Sequence, residues 1–399
     1  MGNVNLTIDM ITNKSLAILE NELVITRNVN KSYDNSYAVA GAKIGNALRI
    51  RLPDRATVST SASLAVEDVT EEQVTLTVSD RAQIALSYTT EDLTMDIDDF
   101  AERKIKPRMS QIAATIDYNV ASCYKQIYNS VGTPGTTPST SFVLLQAQQK
   151  LNESASAERP RYFTVNPAAN AALVEGMKGF FNPTGTISSQ FKSGMMGTGV
   201  LGFDEVAMSQ SIAVHTTGAW GTTITSTGTL STQGQATLPI SFTGSSKTWK
   251  EGDVFTVASV YAVNPQTRVS TGSLQQFVVT ADLTASTTGT LAISPAIYTT
   301  GALQTVDSFP QSGATVTMFG SASTQYPQNL AYHRDAIAVA TADLLMPRGV
   351  HEAMRKNHNG IGVRIVTQYD INNDRMPTRF DVLYGYKVVR PSMACRVWG

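Results

Sequence analysis

The apolar positions near the start of the chain recur at helical spacing. Over residues 6–25 they fall roughly three or four residues apart, at Ile8, Ile11, Leu16, Leu19, Leu23 and Ile25. Either Asn5 or Thr7 can supply an N-cap, so the pattern predicts an amphipathic N-terminal helix. The stretch that follows, as far as residue 45, is too polar to form a core and predicts an extended surface arm.

Apolar and polar residues alternate between residues 46 and 88. The alternation is clearest over 74–78 and 84–88, on either side of Asp80 and Arg81. A period of two predicts strands, and their closeness along the chain predicts that they pair as a hairpin. Because a two-stranded ribbon is marginal alone, we expect a neighbouring subunit to cover its apolar face.

Residues 91–131 carry the clearest helical pattern of the chain. One helical face would hold Ile105, Met109, Ile112, Ile116, Val120, Cys123, Ile127 and Val131. With Pro107 in the first turn, this spacing predicts a helix over 107–131, roughly 37 Å long at about 1.5 Å per residue. Gly132 and the Pro-, Ser- and Thr-rich stretch behind it predict the end of that helix.

The next segment mixes helices with a strand. The pattern predicts helices over 142–152 and 167–178 and a strand over 162–165, with Asn166 as the N-cap of the second helix. These elements indicate an α+β lobe. Glycines recur between residues 176 and 202 among large apolar side chains, a composition typical of a mobile interface loop.

The composition changes abruptly at about residue 216. Residues 216–327 contain seven charged side chains, which are Lys247, Lys250, Glu251, Asp253, Arg268, Asp282 and Asp307. So little charge in a Ser- and Thr-rich stretch would suit a disordered stalk. Short bursts of apolar residues between turn residues instead favour a small β-barrel or sandwich. Strands predicted within 361–397 would complete the earlier lobe, so the charge-poor region is predicted to be an insertion.

Charge and cysteine content exclude several classes of protein. The formal net charge of −1 gives no field that would recruit nucleic acid or an anionic membrane. Cys123 and Cys395 cannot form the disulfide framework of a small secreted protein, and we expect both to be packing residues. No secretory signal or membrane span is present in the pattern, so we expect a soluble, cytoplasmic product.

The sequence contains no pattern typical of catalysis or metal binding. Four histidines lack metal-ligand spacing and are expected to be solvated or to cap helices: His215, His333, His351 and His358. Residues 370–374 imitate the start of a calcium loop, but Arg375 replaces its glycine, so a polar turn is predicted. The acidic residues of 96–102 suit a helix start, and the basic residues of 103–108 suit a solvated face or an intersubunit ion-pair surface, better than a catalytic site.

Five segments carry a resemblance to a known family. They are DVTEEQVTLTVSDRAQIALSYTTEDL (68–93), GFDEVAMSQSIAVHT (202–216), WKEGDVFTVASVYAVNPQTRVSTGSLQQFVVTA (249–281), NLAYHRDAIAVATADL (329–344) and TRFDVLYGYKVVRPSMACRV (378–397). Together with the order of arm, ribbon, long helix, α+β lobe and β insertion, they resemble the major capsid (coat) proteins of tailed bacteriophages. Those proteins have the Hong Kong 97 fold, and the resemblance is strongest to the short-tailed phage type that carries an inserted β-barrel.

The resemblance implies a division of the chain and a function. The implied parts are an N-terminal arm and helix (1–45), an extended E-loop (46–90), a peripheral domain (91–159 with 351–399) that includes a spine helix at 107–131, an axial domain (160–215 with 328–350) and an inserted β-barrel (216–327). The implied function is to form the pentamers and hexamers of an icosahedral shell that matures around packaged double-stranded DNA. The implied partners are further copies, a scaffolding protein, a portal protein and a decoration protein, with no enzymatic activity, metal or cofactor.

On this interpretation, charged residues and the phenylalanines of the Gly-rich loop are candidate contacts. The assembly-interface candidates are Arg55, Glu67, Asp68, Glu71, Glu72, Arg103, Lys104, Lys106, Arg108, Phe180, Phe181 and Phe191. Candidate contacts of the inserted domain are Lys247, Lys250, Glu251, Asp253 and Arg268. The alternative functions are an exported bacterial surface-array or adhesin subunit and, less specifically, a hydrolase with an unrecognised site.

Overall fold

The structure is a computed structural model that describes residues 8–31, 47–58, 62, 66, 71–89, 104–176 and 196–399. The chain divides into two compact units. One comprises Met1–Ile50, Val74–Val120 and Ile337–Lys387, and the other comprises Arg51–Gln73, Ala121–Ala336 and Val388–Gly399. Both contain helices and strands, which confirms the α+β class.

The described elements are five α-helices and twenty-two strands. The helices are α1 (Ile8–Glu22), α2 (Ile25–Asn28), α3 (Lys106–Ala121), α4 (Ser141–Glu153) and α5 (Pro167–Gly176). The strands are β1 (Ala47–Arg51), β2 (Gln73–Thr77), β3 (Asp80–Thr89), β4 (Ser130–Val131), β5 (Arg161–Val165), β6 (Gly197–Val200), β7 (Phe203–Met208), β8 (Val214–Thr216), β9 (Ile224–Ser226), β10 (Gln235–Phe242), β11 (Lys247–Trp249), β12 (Val254–Val263), β13 (Ser270–Val279), β14 (Leu283–Ala285), β15 (Thr288–Ile297), β16 (Val316–Met318), β17 (Gln325–His333), β18 (Ile337–Ala342), β19 (Glu352–His358), β20 (Ile361–Thr367), β21 (Arg375–Val388) and β22 (Ala394–Trp398).

The first unit is built on one five-stranded sheet. Strands β18, β21, β20 and β19 lie in that order, and β3 also pairs with β21. One face of the sheet buries Val363, Ile365, Phe380 and Val382, and α1 packs against β19 and β20. The alternation along β20 and β21 therefore fixes which face of the sheet is covered.

The predicted hairpin of 74–78 with 84–88 is wrong, although both segments are strands. Strand β2 pairs with β1, whereas β3 pairs with β21. Alternation of apolar and polar residues indicates that a strand has one buried face, but it does not indicate which strand is its partner. The chain passes from β2 to β3, and so from one sheet to the other, next to Gly385 of β21. A Cβ added at Gly385 would lie 2.2 Å from the carbonyl oxygen of Thr77.

The predicted long helix ends about ten residues early. Helix α3 stops at Ala121, a 3₁₀ turn covers Ser122–Gln126, and β4 begins at Ser130. Val120, Cys123, Ile127 and Val131 are all buried, as the pattern indicated. Because a 3₁₀ turn also brings positions three apart to the same side, the apolar spacing could not distinguish it from continued α-helix.

The second unit contains a mixed sheet in the order β4, β22, β17, β5, β7 and β6, with β8 also paired to β17. Helices α4 and α5 cover it with Leu144, Leu151 and Leu173, which pack against Phe163 and Phe203. The predicted helix at 142–152 and strand at 162–165 are confirmed within one residue at each end.

The N-cap of α5 is also confirmed. The side-chain carbonyl of Asn166 accepts a hydrogen bond of 2.8 Å from the backbone N–H of Ala169. Helix α5 is described only to Gly176, so the predicted end at residue 178 and most of the Gly-rich loop lie outside the described residues.

Residues 216–327 form strands rather than a disordered stalk. Six antiparallel strands lie in the order β16, β12, β13, β15, β10 and β9. The two edges meet through a bridge between Thr225 and Thr315 and a 2.8 Å hydrogen bond from the Ser226 N–H to the Ala314 carbonyl. Their shared core includes Trp249, Phe255, Phe277, Leu291 and Ile293.

The closing strands belong to two different sheets. Strands β20 and β21 lie in the sheet of the first unit, while β22 lies between β4 and β17 in the second. The prediction that the strands of 361–397 complete the lobe before residue 216 is therefore confirmed for β22 and wrong for β20 and β21. Among the described residues, no helix is both long and apolar enough to cross a membrane.

Candidate assembly surfaces

A buried aspartate holds the N-terminal segment to α3. The carboxylate of Asp117 accepts hydrogen bonds from the backbone N–H groups of Val24 (2.7 Å), Ile25 (3.2 Å) and Thr26 (2.9 Å), and from the Thr26 hydroxyl (2.6 Å). These N–H groups belong to the start of α2, where intrahelical acceptors are missing. This contact fixes the path of the chain between α1 and α2, and it involves no exposed side chain.

Three arginines converge on one carboxylate in the first unit. Asp381 is fully buried, and its oxygens accept hydrogen bonds from Arg364 (2.6 Å), Arg379 (2.7 Å) and Arg81 (3.2 Å). Burial opposes ionisation of Asp381, but the hydrogen bonds from the arginines outweigh it and lower its pKa. One negative charge therefore fixes three positive ones in place.

These arginines share the less buried face of the five-stranded sheet. Arg364 is directly opposite Asp381 and Arg355, and Arg379 lies two residues from Asp381 along β21. Directly paired residues and residues two apart project from the same face of a sheet. The arginines of this face, called here the arginine face, are Arg81, Arg355, Arg364, Arg375 and Arg379.

The sheet of residues 216–327 is fixed to its host lobe by buried polar contacts. The Gln276 side chain accepts a hydrogen bond from the Ser130 N–H and donates one to the Ser130 carbonyl, each 2.7 Å long. Arg396 of β22 donates to the Gly252 carbonyl at 2.8 Å, and its guanidinium lies 5.3 Å from the centre of the Trp398 ring. Burial lowers the pKa of Arg396 to about 10.

His215 lies at the centre of the same junction. Its Nε2 is 2.9 Å from a carboxylate oxygen of Asp253, and its Nδ1 is 3.2 Å from the Tyr124 hydroxyl. Burial lowers the pKa of His215, the hydrogen bond to Asp253 opposes that change, and the charge of Arg396 adds to it. Since Asp253 also accepts hydrogen bonds from the backbone N–H groups of Gly218 and Lys250, it organises the start of the inserted region.

A family model supplies the decisive comparison. The model described as P22 coat protein, gene protein 5, matches residues 2–398. This chain belongs to the P22 coat protein family. No curated protein matches the chain. A coat protein is structural, so the expectation of a non-enzymatic bacteriophage capsid protein is confirmed.

Solved structures from several bacteriophages are similar over most of the coat protein. A structure from Mycobacterium phage Che8 has a TM-score of 0.49 and 12% identity, over 94% of this chain and 90% of that chain. The capsid of Ralstonia phage GP4 has a TM-score of 0.49 and 8% identity, over 94% and 89%. The mature capsid of bacteriophage PhiM1 has a TM-score of 0.39 and 13% identity, over 88% and 82%.

Several predicted assembly residues of the coat protein are exposed. Arg55, Glu71 and Glu72 lie in or beside the chain between β1 and β2, and Glu71 is 3.4 Å from Arg51. Lys104 and Lys106 are exposed at the start of α3, and Arg108 donates to the Lys104 carbonyl at 2.6 Å. The remaining candidates lie outside the described residues: Glu67, Asp68, Arg103, Phe180, Phe181 and Phe191.

The predicted contacts of the inserted region differ in burial. Lys250 pairs with Asp282 at 2.8 Å, Glu251 lies 3.5 Å from Lys125, Lys247 is half-buried, and Arg268 donates to the Ala56 carbonyl at 2.7 Å. Asp253 is fully buried, so it is an internal hydrogen-bond acceptor and not a surface contact.

The expectation of solvated or capping histidines is wrong for His215, which is buried at 2% exposure. His333 is buried too, but its Nδ1 caps the 3₁₀ turn of Arg334–Ala336 by accepting the Asp335 N–H at 3.1 Å. His351 and His358 are exposed. Histidine burial depends on polar partners far away in sequence, such as the 38-residue separation of His215 from Asp253, which no local pattern reveals. Among the described residues, no group of three His, Cys, Asp or Glu side chains is placed to hold a metal ion.

Other expectations about polar and sulfur-containing residues are confirmed. Cys123 and Cys395 are both buried and neither forms a disulfide; burial raises the pKa of Cys395 to about 12, so its thiol is unreactive. Residues 370–374 form a polar turn in which Asp370 accepts a hydrogen bond from the Asn372 N–H at 3.0 Å.

Proposed function

We propose that this coat protein is the major capsid subunit that assembles as pentamers and hexamers into an icosahedral shell around packaged double-stranded DNA. Membership of the P22 coat protein family over residues 2–398 is the observation that carries the proposal. The alternative of a bacterial surface-array or adhesin subunit has no comparable support.

The chain between β1 and β2 supports a role that depends on neighbours. Among the residues that the structure describes, β1 and β2 form a sheet of two strands, which is marginal without a covering surface. Val58 and Val66, in the connecting residues, are 91% and 84% exposed. An assembled shell would cover such a ribbon, as expected for an extended E-loop at 46–90.

The proposed fold is the Hong Kong 97 fold with an inserted β-barrel. Its parts are the N-terminal arm (1–45), the peripheral domain (91–159 with 351–399), the axial domain (160–215 with 328–350) and the barrel (216–327). The joined edges of the six-stranded sheet and its single apolar core support a barrel. Its buried polar contacts with the host lobe support a role in folding the subunit or in contacts between capsomers.

The proposed partners follow from the proposed assembly. We infer that a scaffolding protein and a portal protein direct closure of the shell in the host cytoplasm, and that a decoration protein is a further candidate partner. A formal net charge of −1 is compatible with an inner surface that holds DNA without sequence preference or tight binding.

Expression together with the cognate scaffolding protein tests the proposal. The expected product sediments as large closed particles and shows round shells by negative-stain microscopy, while the chain alone serves as the comparison. If this protein binds its scaffolding protein but the mixture forms no particles, the proposed function is contradicted.

A further inference from the structure

The inserted region contacts the chain that leaves β1 through the side chain of Arg268. Residues 52–58, called here the ribbon root, have no regular secondary structure, and all of them except Leu52 are exposed. Nη2 of Arg268 donates to the Ala56 carbonyl at 2.7 Å, across 212 residues of sequence. The ribbon root and Arg268 both belong to the second unit, so this contact lies within one compact unit.

Arg268 is unusual for its position in two respects. It is the one arginine of residues 216–327, a stretch that contains seven charged side chains. Its φ is +57°, in the left-handed region that glycine adopts at no steric cost and arginine does not. Backbone strain of this kind persists mostly where it serves a function, so we expect the side chain of Arg268 to have one.

The turn that carries Arg268 is closed without its side chain. The side-chain oxygen of Asn264 accepts hydrogen bonds from the N–H groups of Gln266 (2.9 Å) and Thr267 (3.1 Å). The Asn264 carbonyl accepts the Arg268 N–H at 2.8 Å. Because these bonds use only the backbone of Arg268, its guanidinium can bind the ribbon root while the turn keeps its shape.

The residue before Ala56 also interacts with the second unit. Burial raises the pKa of Tyr128 to about 12, and the positive charge of Arg55 opposes that rise. Tyr128 lies just before β4, in the host lobe of the inserted region. Two consecutive residues of the ribbon root, Arg55 and Ala56, therefore interact with the rest of their own unit.

We propose that Arg268 is a positioning residue for assembly, which holds the ribbon root against the inserted region of the same chain and so sets the direction of the ribbon. The proposal rests on the proposed shell function. Because a two-stranded ribbon is marginal alone, a restrained root reduces the conformational freedom that is lost when a neighbour covers the ribbon. Arg268 then acts through the ribbon root and not by contacting the neighbour.

Trypsin cleavage after Arg55 tests the contact in the unassembled, full-length chain. Arg268→Gly removes the guanidinium and also relieves the left-handed strain, so the thermal midpoint should not fall. Cleavage after Arg55 should become about fivefold faster, the effect of losing one hydrogen bond from a partly exposed charged group. Cleavage after Arg348, which is exposed between β18 and β19, is the internal reference. Gln266→Ala, at an exposed residue of the same turn, is the matched control and should leave both cleavage rates unchanged.

The rate of shell formation tests the positioning role. With the cognate scaffolding protein, Arg268→Gly should form shells about fivefold more slowly by light scattering, since the root is no longer restrained before association. Arg268→Lys keeps a positively charged donor and should recover part of the rate, and Gln266→Ala should match the unaltered chain. If Arg268→Gly fails to fold, Arg268→Ala removes the same side-chain contact and is measured in its place.

Three outcomes would overturn the proposal. Unchanged cleavage after Arg55 with a lower thermal midpoint would mean that Arg268 only stabilises the fold. Slower assembly with unchanged cleavage would mean that Arg268 contacts the neighbour directly. Faster cleavage with normal assembly would mean that the position of the ribbon root does not matter for assembly. Absence of shells from the unaltered chain would instead contradict the proposed function, so the two failures are distinguishable.

Discussion

Nε2 of His215 lies 2.9 Å from Oδ1 of Asp253, and both side chains are buried where the inserted region meets its host lobe. A neutral imidazole that donates from Nε2 to Asp253 can accept the Tyr124 hydroxyl at Nδ1, which is 3.2 Å away. Protonation would replace that acceptor with a donor and would add a positive charge near Arg396 and Lys125. The junction is therefore built for the neutral form of His215.

Acid should destabilise this junction before it affects carboxylates. Because the folded pKa of His215 lies below the ordinary value of 6.5, the unfolded chain binds the proton more readily between those two values. The free energy of unfolding should therefore fall as pH decreases below about 6.5. Urea unfolding at pH 7.5 and pH 5.5 measures the fall, which His215→Gln should reduce and His351→Gln, at an exposed histidine, should not. Equal pH dependence in all three proteins would contradict this assignment.

Replacing Arg396 with methionine should raise the pKa of His215. The guanidinium charge is one of the causes that lower this pKa, and methionine removes the charge while keeping an unbranched, mostly apolar side chain. Titration of the His215 ring signals by NMR gives the pKa directly. An unchanged or lower pKa in a folded Arg396→Met protein would show that the charge of Arg396 does not act on His215.

Loss of the Asp117 carboxylate should release the N-terminal segment. In Asp117→Ala, three backbone N–H groups at the start of α2 lose their acceptor, and the expected cost is about 3 kcal/mol. Denaturant unfolding measures that cost, and limited proteolysis should show faster cleavage before residue 31. Asp117→Asn keeps one acceptor oxygen and should have an intermediate effect. Resistance to cleavage equal to that of the unaltered chain would contradict the anchoring role.

Asp381→Asn should destabilise the first unit at neutral pH. Three arginines lose their shared negative charge, and since two of them are partly exposed we expect a cost of about 2 kcal/mol. The folded pKa of Asp381 is lowered, so its contribution is present above the ordinary value of 3.8 and is lost as pH falls through the folded value. Unfolding curves should therefore differ between variant and parent at pH 7 and converge in strong acid. A constant difference across that range would argue against a charge effect.

Local patterns predicted the type of most elements and the limits of some, but not which strands pair with each other. The bursts of apolar residues after residue 216 indicated strands because strands with one buried face alternate, whatever they pair with. The pairing of β3 with β21 instead of β2 depends on a surface that is roughly 300 residues away, as the 300-residue separation of Arg81 from Asp381 shows. The end of α3 was missed because α and 3₁₀ turns bury residues at similar spacings.

The candidate surfaces were predicted less completely than the fold. Glu71 and Glu72 are exposed, as acidic residues in a polar stretch are expected to be, and their role as interface contacts stays a prediction. The arginine face was missed, since its members come from β3, β19, β20 and β21 and are adjacent only in the folded sheet. An Arg-x-Asp alternation at Arg379 and Asp381 is its only local signal, and many surface strands share that pattern.

The position of β22 has a consequence for the order in which the chain can fold during synthesis. This strand lies between β4 and β17, and Ser130 and Trp398, which share a hydrogen bond, are 268 residues apart. All strands of the six-stranded sheet leave the ribosome before β22 does, so that sheet can fold first. The host lobe must wait for residues 394–398, and until then it keeps a gap in the middle of its sheet. A nascent chain is thus prevented from acquiring a finished lobe before residues 394–398 have been synthesised.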